Sequence, residues 1–345
     1  MSRRSLLTIL GLVFAGLVAG CFLQYRTEGP SRSCSRQLFA MDTFMTFTAY
    51  GRDSEKAVEE AMREVQRLDA LLSTGSASSE VSRINTSGSG ELSMDTKELL
   101  KRALEIYEET GGLFDLTIYP LMQLWGFPTH EYHVPTESEL EAVLSLVDAS
   151  RVQYDGTTAI LGEGQKIDFG GIAKGYTSAG IMEIFRSHGI TSGMVSLGGN
   201  VQVLGRKTDG SLWQIGIQDP DSAQGEVLAV VEVEDQAVVT SGGYERYFEE
   251  DGNTYIHIID PRTGYPVDGD LKSVTIVSAD GTLADAMSTS LYIMGYEDAV
   301  EYWRTHCEEF DMVLITDRGE ICVTEGLQGR FRSETDYMIL SSEQG

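Results

Sequence analysis

Apolar residues recur along this chain with two periods, and the switch between them marks out its elements. Leu38 to Tyr50 carries β-branched and aromatic residues in near alternation, the pattern of a strand with one buried face. Residues 53–72 change to helical spacing: Ala57, Ala61, Val65, Leu68 and Leu72 recur at three- and four-residue steps and predict an amphipathic helix. A Ser-rich loop follows, then a helix that opens near Asp95 as N-cap and carries Leu99, Leu100, Ala103, Ile106 and Tyr107. Thr136 with Glu139 three residues later predicts a capping box on a helix running through Val147.

From Arg151 short strands dominate. Residues 151–154 and 158–161 flank Asp155-Gly156, a hairpin signal, and a further strand is expected at 166–169. A helix over 172–188 turns Ile172, Ala173, Tyr176, Ala179 and Ile184 to one side. Strands are expected at 193–197, 201–206, 212–217, 227–233, 236–240, 244–248 and 254–259. After Tyr265-Pro266 come a strand at 272–278, helices at 282–294 and 297–305, and a strand pair at 311–316 and 320–324. Helices and antiparallel hairpins mix without regular βαβ alternation, so the class is α+β, mixed or antiparallel sheets with flanking helices. The folded domain is expected over residues 37–330, with 331–345 a polar tail.

Composition narrows the function. The net charge of −27 excludes a nucleic-acid binder, because phosphate recognition needs clustered Lys and Arg. At the N-terminus, Arg3 and Arg4 precede an apolar stretch, Leu6 to Ala19, that is too short for a comfortable membrane span. It ends Leu17-Val18-Ala19-Gly20-Cys21, which resembles the lipobox of bacterial lipoproteins. That resemblance implies a signal peptide over residues 1–20, cleavage before Cys21, lipid on Cys21 and a polar tether over 21–36. An uncleaved signal anchor is the alternative. With lipidation the chain would sit on the extracytoplasmic face of the cell membrane, where Cys307 and Cys322 could oxidise, pairing being one option. No Cys-x-x-Cys is present, which argues against structural zinc.

Five segments between expected elements could carry chemistry. Asp168-Phe169-Gly170-Gly171-Ile172-Ala173-Lys174-Gly175 joins a strand to a helix, where free N–H groups can face a phosphate; a tight turn with a capping Asp fits equally well. Asp285 and Thr289 stand four apart, so on a helix both oxygens share one face and can reach one hard cation; an acidic first turn is the plainer reading. His257, in a β-like run leading to Asp260-Pro261, suits either a satisfied core residue or a proton acceptor. Residues 112–127 are aromatic-rich, and Ser196-Leu197-Gly198-Gly199-Asn200 is a tight turn between strands. His130 and His133 read as surface residues.

Taken in order, these segments resemble the ApbE family of FAD:protein FMN transferases. So do Met41-Asp42-Thr43, Ser79-Glu80-Val81-Ser82-Arg83-Ile84-Asn85, Gly216-Ile217-Gln218-Asp219-Pro220 and Thr240 to Phe248, and the likeness runs from about residue 37 to 325. The resemblance implies an ApbE-like fold and FAD as substrate. It implies Mg²⁺ on Asp285, Thr289 and the Gly171 carbonyl, with FAD contacts from Met41, Leu113, Phe114, Asp115, Asp168, Lys174 and the Ile259 backbone. His257 matches the family histidine closest to the chemistry. The implied reaction joins FMN through a phosphoester to Thr or Ser of exported proteins and releases AMP; a FAD pyrophosphatase or a FAD carrier are the alternatives. Two positions depart from the family. Gly75 follows Ser73-Thr74 where an aromatic is common, and Asp42 replaces a glycine, so positive φ is not expected at residue 42.

Overall fold

The computed structural model describes residues 32–222 and 225–343. The expected signal peptide, Cys21 and most of the expected tether lie outside the described residues. Among those described, no helix is long and apolar enough to cross a membrane.

The first expected strand is a hairpin. β1 (Ser33–Ala40) and β2 (Thr43–Tyr50) pair antiparallel from Ser33↔Tyr50 to Ala40↔Thr43. Only Met41 and Asp42 join them, at φ 47° and 60°. A type I′ two-residue turn, whose twist matches that of the strands, has the left-handed region at both central residues, and Asp tolerates it better than most. Asp42 therefore does adopt positive φ, contrary to expectation. Pairing also starts at Ser33, inside the expected tether, because β1 buries Cys34 and Ala40 while its other residues stay largely exposed.

α1 (Ser54–Leu72) turns Ala57, Val58, Ala61, Val65, Leu68 and Leu72 inward, as its spacing predicts. The Ser-rich loop holds a helix, α2 (Glu80–Ser87), whose N-cap Ser79 accepts the Ser82 N–H at 2.9 Å. β3 (Ser89–Glu91) follows, then α3 (Met94–Glu109), which opens at Ser93, two residues ahead of the expected cap. Asp95 instead pairs with Arg67 at 2.9 Å. After α4 (Tyr119–Leu124), α5 (Glu137–Leu144) has the expected capping box but stops short of Val147. β4 (Gln153–Tyr154) and β5 (Thr158–Ile160) form a small sheet with β3. The expected strand at 166–169 does not form. There the Asn85 side chain both donates to the Ile167 carbonyl, at 2.8 Å, and accepts its N–H, at 2.7 Å.

The C-terminal half begins with α6 (Ala173–Ser187), β6 (Ser192–Leu197), β7 (Asn200–Leu204), β8 (Trp213–Gln218), β9 (Val227–Val233) and β10 (Ala237–Gly242). β11 (Tyr247–Glu250) and β12 (Asn253–Ile256) form a separate hairpin. β13 (Leu271–Ser278), α7 (Gly281–Met294), α8 (Tyr296–His306), β14 (Asp311–Thr316) and β15 (Ile321–Thr324) follow. The expected polar tail contains β16 (Phe331–Ser333), paired to β9, and β17 (Tyr337–Leu340), parallel to β15. Both are short edge strands, and so few residues carry almost no periodicity. Cys34, Cys307 and Cys322 are free, so the 307–322 pairing is not made.

The principal sheet runs β1-β2-β6-β7-β10-β13-β14-β15-β17. One apolar cluster places α1 and α6 residues on β1, β2 and β6; a larger one joins α3, α7 and α8 to β10, β13 and β14. The opposite face is covered by β16-β9-β8, with Val203, Val238, Val277 and Val313 meeting Ile215 and Val231. This is an α+β fold of mixed sheets with flanking helices.

Candidate active site

The site is built where α6 and α7 cross. An added Cβ on Gly175 would lie 2.1 Å from the Gly281 carbonyl oxygen and 2.7 Å from Asp285 Cβ, so only glycine permits the approach. Gly175→Ala forces the helices apart and should cost the upper end of the ~1–3 kcal/mol typical of overpacking, or more. Denaturant unfolding of the ligand-free variant measures this.

That closeness puts the Asp285 carboxylate at the start of α6. Gly175 N–H donates to Asp285 Oδ2 at 2.7 Å. Gly175 is the third residue of α6, so its N–H has no acceptor within the helix, and the Asp285 carboxylate supplies one. Asp285 is 5% exposed, and burial pushes its carboxyl above the ordinary range. The Lys174 charge and the first N–H groups of α6 oppose the rise. One turn on, Thr289 Oγ1 sits 3.1 Å from Ser241 Oγ of β10. Asp285 and Thr289, four residues apart on α7, thus bring a carboxylate and a hydroxyl to one face of the helix. Among the described residues no three or more His, Cys, Asp or Glu side chains form a metal cage.

The β6–β7 turn closes one side. Gly198 and Gly199 have φ of 59° and 86°, and Thr43 fills the space where a Cβ on Gly198 would lie. Lys174 Nζ reaches the Gly198 carbonyl at 3.5 Å. On the next side Arg246 binds Asp42 Oδ2 at 3.0 Å, clamping the β1–β2 turn. Its own carbonyl meets His257 Nδ1 at 3.2 Å. A carbonyl only accepts, so this contact makes Nδ1 the protonated nitrogen and leaves the Nε2 lone pair free. Loss of hydration, then the charge of Arg246, pulls the His257 pKa down to about 4, so the ring is neutral at physiological pH.

The remaining candidate positions divide into those facing the site and those supporting it. Phe114 packs against Gly171, whose added Cβ would lie 3.1 Å from the ring. Leu113 and Phe114 are buried. Asp115 turns inward: Oδ1 accepts from Thr117 N and Oγ1 at 2.7 and 2.6 Å, and Oδ2 accepts from Ala149 N at 3.1 Å. Its carboxylate braces the loop. Asp168 takes the Gly170 N–H at 2.8 Å, and its own N–H goes to the Leu116 carbonyl, joining the two loops. Met41 packs against Thr177 of α6. The Ile259 side chain sits in the cluster around Trp125. Its bridge to Pro266 is bonded through Asp260 N and Val267 N, which leaves the Ile259 N–H and carbonyl outside that pairing. A cavity of about 520 Å³ beyond Ile259 is lined by Asp260, Asp268, Asp270, Glu297 and Asp298, with Arg262, and is too acidic for a pyrophosphate.

Residues 41–314 match the model of the ApbE family. The chain belongs to that family. A FAD:protein FMN transferase of Klebsiella pneumoniae (strain 342) is 32% identical over 298 residues, 84% of this chain and 92% of its own length. The FAD:protein FMN transferase of Salmonella typhimurium is 30% identical over 328 residues, 90% of this chain and 92% of its own. Among solved structures, the ApbE protein of Thermotoga maritima aligns with a TM-score of 0.82 at 31% identity, covering 88% of this chain and 100% of that one. The flavin transferase ApbE of Vibrio cholerae aligns with a TM-score of 0.79 at 29% identity, covering 87% and 100%.

The ApbE chain described here is thus an enzyme, a transferase acting on FAD with proteins as acceptors at the family level. Its fold gathers Lys174, Gly175 and Asp285 at one helix crossing, and links Met41-Asp42 through Arg246 to His257. Three residues that shape the site carried no assignment in the sequence. Asn85 and Arg246 lie in recognised segments, but their partners are 82 and 204 residues away, beyond any local pattern. Asn200 lies in a turn that was legible only as a turn.

Proposed function

We propose that this ApbE chain transfers FMN from FAD to a Thr or Ser hydroxyl of exported proteins, with Mg²⁺ held by Asp285, Thr289 and the Gly171 carbonyl. The observation that carries the reading is the buried Asp285 carboxylate, held by the Gly175 N–H at the start of α6 with the Lys174 charge acting on it. The donors are all oxygen, which suits a small hard cation whose remaining positions take phosphate oxygens and water. When bound, the cation would neutralise charge on the pyrophosphate and on the departing AMP.

The protein's own contribution follows from its geometry. The hydroxyl oxygen attacks the FMN-side phosphorus, its bond to that phosphorus forms, and the bond to the AMP phosphate breaks. The hydroxyl proton passes to His257 Nε2, the nitrogen left free by the Arg246 carbonyl. Lys174, at the start of α6, would hold a phosphate oxygen. Leu113 and Phe114 with Met41 offer apolar surface to the flavin or adenine, while Asp115 and Asp168 fix the loops that present it. Water in place of the hydroxyl yields FMN and AMP, the pyrophosphatase reaction, at the same atoms. A carrier would need the cleft but not His257. Incubation with FAD, Mg²⁺ and a candidate acceptor, followed by intact mass of the acceptor, tests the proposal; an unchanged acceptor mass with FAD consumed would reassign the chain as a hydrolase.

The proposal includes export and a lipid anchor at Cys21, outside the described residues. Cys21→Ser should abolish fatty-acid labelling in cells; undiminished label would remove Cys21 as the lipid site.

A further inference from the structure

We infer that Asn200 is a positioning residue for Asp285, its amide nitrogen holding the carboxylate oxygen that Gly175 leaves free once that carboxylate carries a cation. The inference rests on the reading of Asp285 as a cation ligand. Asn200 is 0% exposed, and among the described residues it alone has both side-chain polar atoms buried without a partner. An unpaired buried amide is a standing cost to the folded chain, tolerable where a partner arrives with the ligand.

Register along three elements brings Asn200 to Asp285. Two residues on from Asn200, on the same face of β7, Gln202 Oε1 accepts from Ser178 Oγ at 2.7 Å. An added Cβ on Gly281 would lie 2.5 Å from the same oxygen. Gln202 thus marks where β7 meets both helices. Stepping back to Asn200 moves roughly 6.6 Å along the strand. Stepping from Ser178 to Lys174, or from Gly281 to Asp285, moves about 6 Å along each helix. The Lys174–Gly198 contact, with Ser178 on Gln202, shows that β7 and α6 run the same way, and Gly281 meets Ser178 while Asp285 meets Gly175, so α7 runs oppositely. All three steps end at one place. Being wholly buried, Asn200 cannot touch substrate and acts through Asp285.

Asn200→Leu removes both polar atoms at similar volume. The measurement is the thermal unfolding midpoint of the full chain holding FAD, titrated with Mg²⁺, beside wild type and Asp285→Ala. The Mg²⁺-free midpoint of Asn200→Leu is expected to equal or exceed that of wild type, because an unpaired amide has gone. Its half-saturating Mg²⁺ concentration is expected to rise 10- to 100-fold, the usual effect of losing a residue that orients a metal ligand. Asn200→Ala gives the same Mg²⁺ reading should leucine not fit. An unchanged half-saturation point in the variants overturns the inference, as does a large fall in the Mg²⁺-free midpoint with the Mg²⁺ response intact. Loss of the response in Asp285→Ala with its retention in both Asn200 variants refutes Asn200 alone. Retention in Asp285→Ala refutes the cation reading itself.

Discussion

Replacing Asp285 with alanine is expected to abolish FMN transfer while leaving the fold intact. The variant loses the one charged side chain among the proposed cation ligands, and a carbonyl with a hydroxyl cannot replace it. The fold survives because the α6–α7 crossing is set by Gly175 against Gly281, not by the carboxylate. The pH dependence of stability supplies a second readout. Burial raises the folded-state pKa of Asp285 above its unfolded value of about 3.9. Without a cation, its contribution to stability is therefore greatest at low pH, where it is protonated, and is lost as pH rises through that interval. Asp285→Ala should flatten this slope, and Mg²⁺ with FAD should reverse it in wild type. Transfer at the wild-type rate in the variant at low Mg²⁺ would remove Asp285 from the site.

His257→Ala is expected to slow transfer by ~10²–10⁴-fold, the range supplied by a positioned general base, while FAD still binds. FAD affinity by fluorescence quenching and acceptor modification by mass spectrometry separate the two quantities. The pH profile sharpens the test. A histidine whose folded pKa is drawn down to about 4 stays neutral through the range where an ordinary imidazole protonates. The acid limb of kcat/KM should then fall near pH 4, not near 6.5, and the alanine variant should lose that limb. Protonating this ring also disfavours the folded state, so its stabilising contribution is present above about pH 6.5 and declines toward pH 4. Loss of FAD binding together with transfer would make His257 a structural residue. Unchanged transfer would place the proton acceptor elsewhere.

Much of the architecture was legible because burial imposes a period on sequence. The spacing of Ala57, Ala61, Val65, Leu68 and Leu72 predicted α1, and each of these residues is buried. Thr136 and Glu139 predicted a capping box that is present. Where local signals were sparse, reading along the chain went astray. Met41-Asp42 lacks the Asn-Gly or Gly-Gly signature of a tight hairpin, so two strands looked like one. Residues 166–169 looked like a strand because apolar content was local, whereas their backbone partner is the side chain of Asn85. β17 was missed because four residues on a sheet edge carry little pattern.

The site divides along the same line. Sequence by itself determined which residue types were present and in what order: the glycine pair before α6, an Asp and a Thr four apart on one helix face, and a histidine in a strand-like run. Those are local facts, carried by covalent spacing and helical period. Only the tertiary structure decided that the Asp285 carboxylate lies on the first turn of α6 and takes the Gly175 N–H, across 110 residues. It alone decided that Arg246 joins the β1–β2 turn to His257, and that Asp115 braces a loop instead of facing outward. The physical reason is that charge state, tautomer and free valence depend on which groups exclude water from one another, and those groups are distant in the chain.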